Sequence, residues 1–441
     1  MIEKITKVLS ESEILRIAKE TGFVIRESKK ITALGFLKML LYDQLQYDNP
    51  SLQQHAFGLD AMDGISISEE GLNKRFKETA VTFIQKIFEA YLRHNIDHDS
   101  IATSLKNKYT AIRVLDSTEF RLPDSLADVF PGYNSSSALS CAAIQFEYDI
   151  ISRDVCSLTL GNAKQSDKTY ADERMDNINE GELIIRDLGY YSIDSYEKIE
   201  HRKAFYISRL KSQIKIYEKH NEQYTELDLK TLIKRIKKSK HTFFDQTVYI
   251  GTKDKKEVRL MAWLLEEDAQ KNRLAKKKGR KGKINNNDIL WSMLNVFVTN
   301  ISKEELTAQE AYELYKIRWQ IELMFKTWKS ILKLDLVRKM KADRLKCYLY
   351  TKLLWILICW DITAISEPIV WSKNKKLISL YKCFALLKNR VADIKDLLFN
   401  TNERLKEWLI KMIEYFSIYG LKENKKGRKE IAEILRYGQI K

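Results

Sequence analysis

Three apolar stretches separated by turn residues determine the fold class: YTAIRVLDST at residues 109–118, SCAAIQFEYDI at 140–150 and DVCSLTLG at 154–161. All three are rich in β-branched and aromatic residues, a composition that is typical of β-strands. A fourth stretch, ELIIRDLGY at 182–190, indicates another buried strand. Helices are expected over 172–178 and 191–202. Strands interspersed with helices predict an α/β domain with a mixed sheet.

An aspartate follows the apolar run in two of these strands. Asp116 comes after AIRVL and precedes Ser-Thr, and Asp187 comes after ELIIR and precedes Leu-Gly-Tyr. Catalytic groups of open α/β sheets often lie at the carboxyl ends of the strands. We therefore expect both aspartates at such strand ends. Glu119 is expected in a turn beyond its strand. Asp167 is expected in a turn or next to a metal-binding residue, without touching a metal itself. Both are weaker candidates for direct metal binding.

Residues 1 to about 105 have the periodicity of helices. Ser10 begins a capping box before the run ILRIAKETGF. Two further helices are expected on either side of a turn at Gly64, the second capped by Ser68 and running through GLNKRFKETAVTFIQKIFEAYL. The two fit a helix-turn-helix that binds DNA. They fit an ordinary helical bundle equally well.

The segment from about 203 to 300 is again rich in strands, at AFYISRLK, TFFDQTVYIG, EVRLMAWLL and LNVFVTNI. Among them lies KNRLAKKKGRKGK, residues 271–283, with eight basic residues and no acidic one. We expect a loop there. All-basic loops in ordered domains commonly contact phosphates, although a solvated loop is the alternative. After residue 300 the pattern is helical to the end, including the short basic tail KENKKGRKE.

Composition narrows the class of protein. The 441 residues include 76 Lys or Arg and 60 Asp or Glu, a formal net charge of +16. Such a surplus predicts a polyanionic partner, nucleic acid or an anionic membrane surface. The five cysteines form no C-x-x-C pair, which fits a reducing compartment and argues against a zinc site. The longest dense apolar run, residues 353–360, is too short to cross a bilayer. Since the N-terminus also has no signal-like apolar region, a soluble cytoplasmic protein is expected.

The most informative region is AQEAYELYKIRWQIELMFKTWKSILKL, around Glu322. At about 100° per residue, Tyr315, Arg318, Glu322 and Lys329 fall within a sector of about 60° on a single helix. A solvated face with an Arg–Glu pair would explain this stripe. However, the helix is also rich in aromatic residues and should be well packed. A carboxylate on a packed helix beside cations suits metal-assisted phosphoryl chemistry.

Three carboxylates can together hold two divalent cations about 3.5–4 Å apart. Asp116, Asp187 and Glu322 are the candidates. Mg²⁺ suits such a site because it prefers oxygen ligands and keeps several waters. The six histidines have no metal-ligand spacing, and His55 and His241 are expected to be ordinary polar positions.

These residues also resemble a known family. The pattern Y-x2-R-x3-E-x6-K, met by Tyr315, Arg318, Glu322 and Lys329, is similar to the signature of bacterial insertion-sequence DDE transposases. VLDST at Asp116 and IIRDLGY at Asp187 resemble that family's two aspartate motifs, and FYISRLK and VFVTNI resemble stretches of its β-rich insertion domain. The resemblance runs from about residue 109 to 354.

The resemblance implies a ribonuclease-H-like catalytic core interrupted by a β-rich insertion domain, with helical N- and C-terminal regions. The boundaries it suggests are a DNA-binding region at 1–105, the core at 106–202 and 303–365, the insertion at 203–302, and a C-terminal region at 366–441 that could mediate dimerisation. It implies that Asp116, Asp187 and Glu322 bind two Mg²⁺ ions, with Mn²⁺ as a substitute.

The resemblance further implies contacts to double-stranded DNA, both at the terminal inverted repeats of the element and in the target. Relatives work as homodimers on paired ends, in the bacterial cytoplasm and at the nucleoid, and no membrane is involved. The expected DNA-binding residues are Tyr315, Arg318, Lys329, Arg209, Lys211, Lys276, Lys277, Lys278 and Arg280.

One departure concerns tryptophan. Some relatives stack a flipped base on a tryptophan four residues before the Thr of the T-N strand, where this chain has Asn295. Trp291 and Trp319 are alternative stacking residues, although Trp291 also fits a place in a core. A hairpin intermediate is therefore a weaker expectation than the metal site.

The function expected is cleavage at the terminal inverted repeats and joining of the 3′ ends to target DNA. A metal-dependent DNA nuclease on the same core, without end joining, is the alternative. A non-catalytic DNA-binding derivative is a third possibility, against which the three intact carboxylates argue.

Overall fold

The computed structural model describes residues 1–25, 31–94, 103–133, 138–239, 243–253, 255–399 and 402–423. Within these ranges the chain is mixed α/β, which confirms the predicted class. It divides into two compact units. The first contains the described residues within Met1–Thr103, Asp116–Gln165 and Gln320–Ala432, and the second contains those within Ser104–Leu115 and Ser166–Trp319. The predicted domain boundaries stay predictions.

The helices up to the middle of the chain are α1 (Ile2–Val8), α2 (Glu11–Glu20), α3 (Ala33–Gln46), α4 (Leu52–Asp63), α5 (Glu69–Asn73), α6 (Glu78–Arg93), α7 (Thr103–Lys106), α8 (Asp167–Asp172) and α9 (Ile193–His201). Those that follow are α10 (Leu229–Lys238), α11 (Glu267–Lys281), α12 (Asn286–Ser292), α13 (Ala308–Ile317), α14 (Trp319–Ile331), α15 (Ala342–Asn374), α16 (Leu380–Asn389), α17 (Val391–Leu397) and α18 (Asn402–Tyr419).

The strands are β1 (Ile112–Arg121), β2 (Cys141–Asp149), β3 (Val155–Asn162), β4 (Leu183–Arg186), β5 (Phe205–Arg209), β6 (Ile216–His220), β7 (Gln223–Glu226), β8 (Phe243–Ile250), β9 (Lys256–Leu264) and β10 (Leu294–Thr299). Short 3₁₀ helices lie at Asp124–Leu126, Met175–Asn177 and Leu188–Tyr190.

Helix α15 is the centre of the first unit. Helices α3, α6 and α18 pack against it, and the indole N–H of Trp355 donates to the carbonyl of Leu41 in α3. By length and composition α15 could cross a membrane, but 83% of its most apolar window is buried inside the protein. The apolar run at 353–360 is therefore the middle of a core helix.

His55 lies in this helical core and is fully buried. Its Nδ1 is 2.5 Å from the Asp43 carboxylate and its Nε2 is 2.7 Å from the Tyr348 hydroxyl. The imidazole is thus part of a buried hydrogen-bonded chain that joins α4, α3 and α15. His241 and most of the basic tail lie outside the described residues.

The helical N-terminal region follows the predicted capping residues. Ser10 accepts a hydrogen bond from the backbone N–H of Glu13, and Ser68 accepts one from Gly71. Gly64 ends α4 with φ of 63°, a left-handed conformation that favours glycine. The single helix predicted after Ser68 is wrong, because α5 stops after five residues and α6 begins at Glu78.

The strands of the second unit are ordered β1-β4-β5-β10-β9-β8-β6-β7, with β1 represented by residues 112–115. The pairs β1–β4 and β4–β5 are parallel, and all later pairs are antiparallel. All four residues of β4 are buried, as expected for a central parallel strand. In the first unit β1 lies beside β2, and β2 pairs with β3 antiparallel.

The predicted strands are present, but one helix expected between them is wrong and several elements between them were missed. The helix expected at 172–178 is wrong, because α8 covers Asp167–Asp172 and only a 3₁₀ helix at Met175–Asn177 follows it. Helix α8 begins where it does because Ser166 accepts a hydrogen bond from the Thr169 N–H and caps it. Strands β6 and β7 and helix α10 were not predicted. Strands β6 and β7 are largely polar, and all four residues of β7 are exposed, so their hydrophobic pattern is weak. Helix α10 does have an amphipathic pattern, with Leu232, Ile233 and Ile236 buried, which the sequence analysis missed.

The basic segment at 271–283 is not a loop. Most of it belongs to α11, which starts with Glu267 and Asp268 in its first turn and ends at Gly282, where φ is 71°. Acidic residues in the first turn and cations toward the end both favour a helix through its dipole. The local charge pattern therefore supports the helix despite repulsion between the lysines.

Candidate active site

Asp116 lies inside strand β1 and not at its end, which corrects the prediction. The strand continues through Ser117, Thr118, Glu119 and Phe120 to Arg121, and from Thr118 onward buried and exposed side chains alternate. That alternation is the signature of a strand with one buried face. The half-buried Asp116 carboxylate accepts a hydrogen bond of 2.9 Å from the Ser117 N–H.

Glu119 is also within β1, so its expected place in a turn is wrong. Its side chain is exposed and accepts a 2.6 Å hydrogen bond from the hydroxyl of Tyr133. Glu119 therefore lies three residues from Asp116 on the same strand but has an exposed side chain with a partner of its own.

Asp187 has the position that was predicted for it. It directly follows β4 and precedes the 3₁₀ helix at Leu188–Tyr190. Asp167 lies in the first turn of α8, so the expected turn is wrong, while its alternative place behind the metal ligands stays a prediction. In the second unit, Asp187 is thus the aspartate at the carboxyl end of a buried parallel strand.

Tyr315 and Asp187 are brought together within the second unit. The phenol of Tyr315 is 3.5 Å from Asp187 Oδ1, within reach of a weak hydrogen bond in which the phenol donates. The Tyr315 ring packs against Phe297 of β10, with centroids 4.8 Å apart, and is 8% exposed. Burial, and next to it the charge of Asp187, raises the pKa of Tyr315 well above its usual range, although Arg318 opposes this. Tyr315 is therefore a protonated donor at neutral pH.

Arg318 lies next to Tyr315. Its guanidinium carbon is 5.8 Å from the centroid of the Tyr315 ring. Arg318 also ends α13, and its N–H bonds to the Tyr315 carbonyl three residues back. The predicted single helix from Tyr315 to Lys329 is consequently wrong, since α13 and α14 are separate helices.

Glu322 and Lys329 share a face of α14 in the first unit, because seven residues make nearly two turns. Both side chains are half-buried. Lys329 Nζ donates a 2.8 Å hydrogen bond to the carbonyl of Glu119 in β1. Trp328 packs edge-on against Phe146 of β2, with centroids 4.9 Å apart. Helix α14 is thus fixed on the strands of its own unit.

The residue types of the predicted metal site fit Mg²⁺, which takes carboxylate oxygens as ligands. Asp116 and Glu322 belong to the first unit and Asp187 to the second. Among the described residues, no group of three or more His, Cys, Asp and Glu side chains is arranged to hold a metal ion.

The tryptophans expected to stack on a base differ in exposure. Trp319 is 51% exposed at the start of α14. Trp291, in α12, packs against the apolar core of the second unit. A place in the core therefore describes Trp291 better than a stacking position does.

The expected DNA-binding residues of the segment 203–302 also differ in their burial and in their contacts within the protein. Lys211 donates a 2.7 Å hydrogen bond to the Tyr191 carbonyl, and burial lowers its pKa. Arg209 is half-buried in β5. In α11, Lys277 pairs with Asp288, whereas Lys276 and Lys278 are exposed. Arg280 belongs to the same helix, but its side chain lies outside the described residues.

Two lysines that the sequence analysis missed hold the C-terminal end of α14. Lys352 of α15 donates to the Lys333 carbonyl at 2.7 Å, and Lys388 of α16 donates to the Ile331 carbonyl at 3.0 Å. Lys388 also pairs with Asp48. Cations are favourable at helix C-termini. A lysine directly before the apolar run at 353–360 was the signal available in the sequence.

Replacing Lys352 with methionine is expected to change how stability depends on pH. Burial lowers the pKa of Lys352 to about 7, against an ordinary value of 10.5, with Asp48 and Asp335 opposing and Lys388 adding to the shift. Between these values the unfolded chain binds the proton that the folded chain has lost. This group therefore makes stability rise with pH, by about 1.4 kcal/mol per unit. Urea unfolding from pH 7 to 10 would measure the free energy of unfolding of both proteins, and the value for wild-type minus that for K352M should rise with pH. A difference that stays constant over this range would contradict the prediction.

The family follows from comparison with known sequences. Residues 110–358 match the family described as "Transposase DDE domain". Because this match covers more than half of the 441 residues, the chain belongs to the DDE transposase family.

Individual relatives are similar along nearly the whole chain. It is 29% identical to the transposase for insertion sequence element IS231B of Bacillus thuringiensis subsp. berliner, over 98% of this chain and 94% of that protein. It is 28% identical to the IS231F transposase of Bacillus thuringiensis subsp. israelensis with the same coverage. The transposase for IS1151 of Clostridium perfringens is 26% identical, over 99% of this chain and 96% of its own length.

The predicted class, an insertion-sequence DDE transposase, is thereby confirmed. The Y-x2-R-x3-E-x6-K signature, the ribonuclease-H-like core and the insertion domain stay predictions.

Proposed function

We propose that this chain is the transposase of a bacterial insertion sequence, cleaving DNA at the terminal inverted repeats and joining the 3′ ends to a target. The observation that supports this best is the family match over residues 110–358, which spans Asp116, Asp187 and Glu322. The named relatives are transposases of insertion sequences and align with almost the entire chain. A surplus of 16 positive charges suits a partner that is a polyanion.

In this proposal Asp116, Asp187 and Glu322 bind two Mg²⁺ ions, for which Mn²⁺ can substitute. Such ions, when bound, activate a water or a 3′-hydroxyl and stabilise the leaving oxygen. The proposal rests on donor chemistry and on the position of each residue in its own unit.

Other residues of the chain orient this machinery. The Tyr315 phenol can donate a weak hydrogen bond to the Asp187 carboxylate, which favours one orientation of Asp187. Lys329 fixes α14, and with it Glu322, to the backbone of β1. Arg318 remains the residue proposed to bind a DNA phosphate, because guanidinium groups match phosphate geometry. Tyr315 and Lys329 also stay proposed DNA-binding residues, and their contacts to Asp187 and to the β1 backbone add a second proposed role, that of positioning carboxylates.

We also propose that the enzyme acts as a homodimer on two paired ends in the bacterial cytoplasm. The C-terminal helices beyond α15 are the candidates for contact between copies. Analytical ultracentrifugation of the protein with and without end DNA would test this, and one copy per pair of ends would contradict it.

The alternative is a nuclease that cuts but does not join. A strand-transfer assay separates the two functions. A pre-cleaved end duplex and a supercoiled plasmid are incubated with Mg²⁺, and joined products are measured on a gel. We expect plasmid molecules with the end duplex attached through its 3′ strand. Plasmid that is nicked or linearised without attached duplex would favour the nuclease.

A further inference from the structure

Helix α11 has one face that packs against the second unit and one face that is exposed to solvent. It contains seven basic residues and two acidic ones, both acidic residues being in its first turn. On a helical projection, Gln270, Arg273, Leu274 and Lys277 fall on one side, over a sector of about 100°. The remaining described side chains from Lys271 onward are exposed.

The first face fastens the helix to the second unit. Arg273 donates to the Leu294 carbonyl at 2.8 Å and to Asn295 Oδ1 at 3.2 Å, both in β10. Burial, with a smaller effect of Arg209, lowers the pKa of Arg273 to about 10, so it is still charged at neutral pH. Lys277 pairs with Asp288 in α12, where both side chains are largely buried. These two cations therefore orient α11 and are not available to a ligand.

The second face is cationic and points to solvent. Lys276 and Lys278 are exposed, and Lys271 forms a long, exposed ion pair of 3.9 Å with Glu267. Such exposed ion pairs contribute little to stability, so Lys271 can exchange this pair for a contact with a ligand at little cost. Ala275 and Gly279 lie between the lysines, and a methyl group at Gly279 would meet no neighbouring atom. The face is thus broad, positive and sterically open.

The chemistry of this face favours a phosphodiester backbone over a membrane. A helix that lies on a membrane needs an apolar face with aromatic or leucine side chains to insert. The exposed face of α11 has no large apolar side chain among its described residues, since Leu274 is half-buried on the other side. Lysines on an open, rigid helix can each neutralise one phosphate without reading a base.

We propose that α11 docks along the backbone of double-stranded DNA through Lys271, Lys276 and Lys278, while Arg273 and Lys277 hold the helix in place. The partner class rests on the proposed function. The inference goes beyond it by separating a DNA-gripping face from an anchoring face within one basic segment.

The test is the salt dependence of binding by the full chain to a duplex of random sequence. In the triple variant Lys271→Gln, Lys276→Gln, Lys278→Gln, the slope of log K against log salt should become shallower by about 2.7, or about 0.9 per phosphate contact. The matched control neutralises three exposed lysines of α10 in the same unit, Lys230, Lys234 and Lys237, which removes equal charge. The control slope should stay close to the wild-type slope.

A second variant leaves every lysine in place. Gly279→Glu puts a carboxylate in the middle of the face, where there is open space, and should weaken binding to the duplex at low salt. Far-UV circular dichroism verifies that each variant is folded. Equal slopes for the α10 and α11 variants, or unchanged affinity in Gly279→Glu, would overturn the inference.

Two further measurements separate the possible failures. Vesicles of phosphatidylglycerol serve as the membrane probe, and binding to them that exceeds binding to the duplex would also overturn the inference. Cleavage of end DNA by the wild-type protein is assayed in parallel. If wild-type cleaves but the α11 variants bind duplex like wild-type, the inference fails while the proposed function stands. If wild-type neither binds nor cleaves end DNA, the proposed function itself fails.

Discussion

Replacing Asp116, Asp187 or Glu322 with the matching amide is expected to reduce DNA strand cleavage by about 10²- to 10³-fold or more in each single variant. The amide keeps the size of the side chain but removes the negative charge that holds a divalent cation. Losing one group that stabilises charge in the transition state has effects of this size. Cleavage of a labelled end duplex in Mg²⁺, measured under single-turnover conditions, gives the rate.

Binding separates a chemical role from a structural one. The three amide variants should bind end DNA at least as well as the wild-type protein, because each removes a negative charge that repels phosphate. Unchanged cleavage in any one variant would remove that residue from the proposed site. Loss of binding together with cleavage would indicate misfolding instead.

Two neighbouring carboxylates provide matched controls. Glu119 is on the same strand as Asp116, three residues away, with an exposed side chain that accepts from Tyr133. Asp194 lies in the first turn of α9, seven residues after Asp187, and its side chain is 72% exposed. Glu119→Gln and Asp194→Asn should cleave at rates close to wild-type. A large loss of cleavage rate in either control would mean that any carboxylate in these segments affects cleavage. The effect would then not be specific to Asp116, Asp187 and Glu322.

The sequence was a good guide where a hydrophobic pattern was strong. Residues 183–186 are four apolar or buried residues followed by Asp-Leu-Gly, so both the strand and the position of Asp187 could be predicted. Asp116 was misplaced because the apolar run ends at Leu115. The strand continues by alternation through Thr118 and Phe120, a weaker signal carried by only two buried residues.

Helix breaks and tertiary anchors could not be predicted in the same way. A helical projection cannot detect an interruption at a single residue. Helix α13 ends at Ile317 and α14 begins at Trp319, so the break at Arg318 leaves the apparent periodicity unchanged. The basic segment predicts a loop because a run of eight basic residues without an acidic one is typical of a solvated segment. The contacts that stabilise it as a helix, Lys277 with Asp288 and Arg273 with β10, join residues whose pairing no local pattern reveals.

Replacing Arg259 with alanine is expected to lower the free energy of unfolding by about 3–5 kcal/mol, the usual effect of breaking a buried ion pair. Arg259, in β9, is 7% exposed. Its Nε and Nη2 donate to the two carboxylate oxygens of Asp245, each at 2.8 Å. Its Nη1 donates to three carbonyl oxygens in the segment between β10 and α13, those of Ile301, Ser302 and Leu306.

A second arginine–carboxylate pair of the same unit is the control. Arg235 pairs with Glu218 through two hydrogen bonds, but the Arg235 side chain is 42% exposed. Solvent-exposed pairs contribute about 0–1 kcal/mol, so Arg235→Ala should have a small effect. Urea unfolding followed by circular dichroism measures both. Equal losses for Arg259→Ala and Arg235→Ala would show that burial and the three carbonyl contacts add nothing.

The reason for the expected loss can itself be tested, because removing Arg259 leaves Asp245, whose side chain is only 12% exposed, as an unpaired charge. The double variant Arg259→Met, Asp245→Leu removes both charges and should be more stable than Arg259→Met alone, since replacing both partners of a buried pair is often nearly neutral. Full recovery would assign the whole effect to the stranded carboxylate. Partial recovery is expected here, because the carbonyls of Ile301, Ser302 and Leu306 still lack their donor. Those carbonyls directly precede α13, so the double variant should also retain less cleavage activity than its stability alone predicts, as Tyr315 and Arg318 follow on that helix.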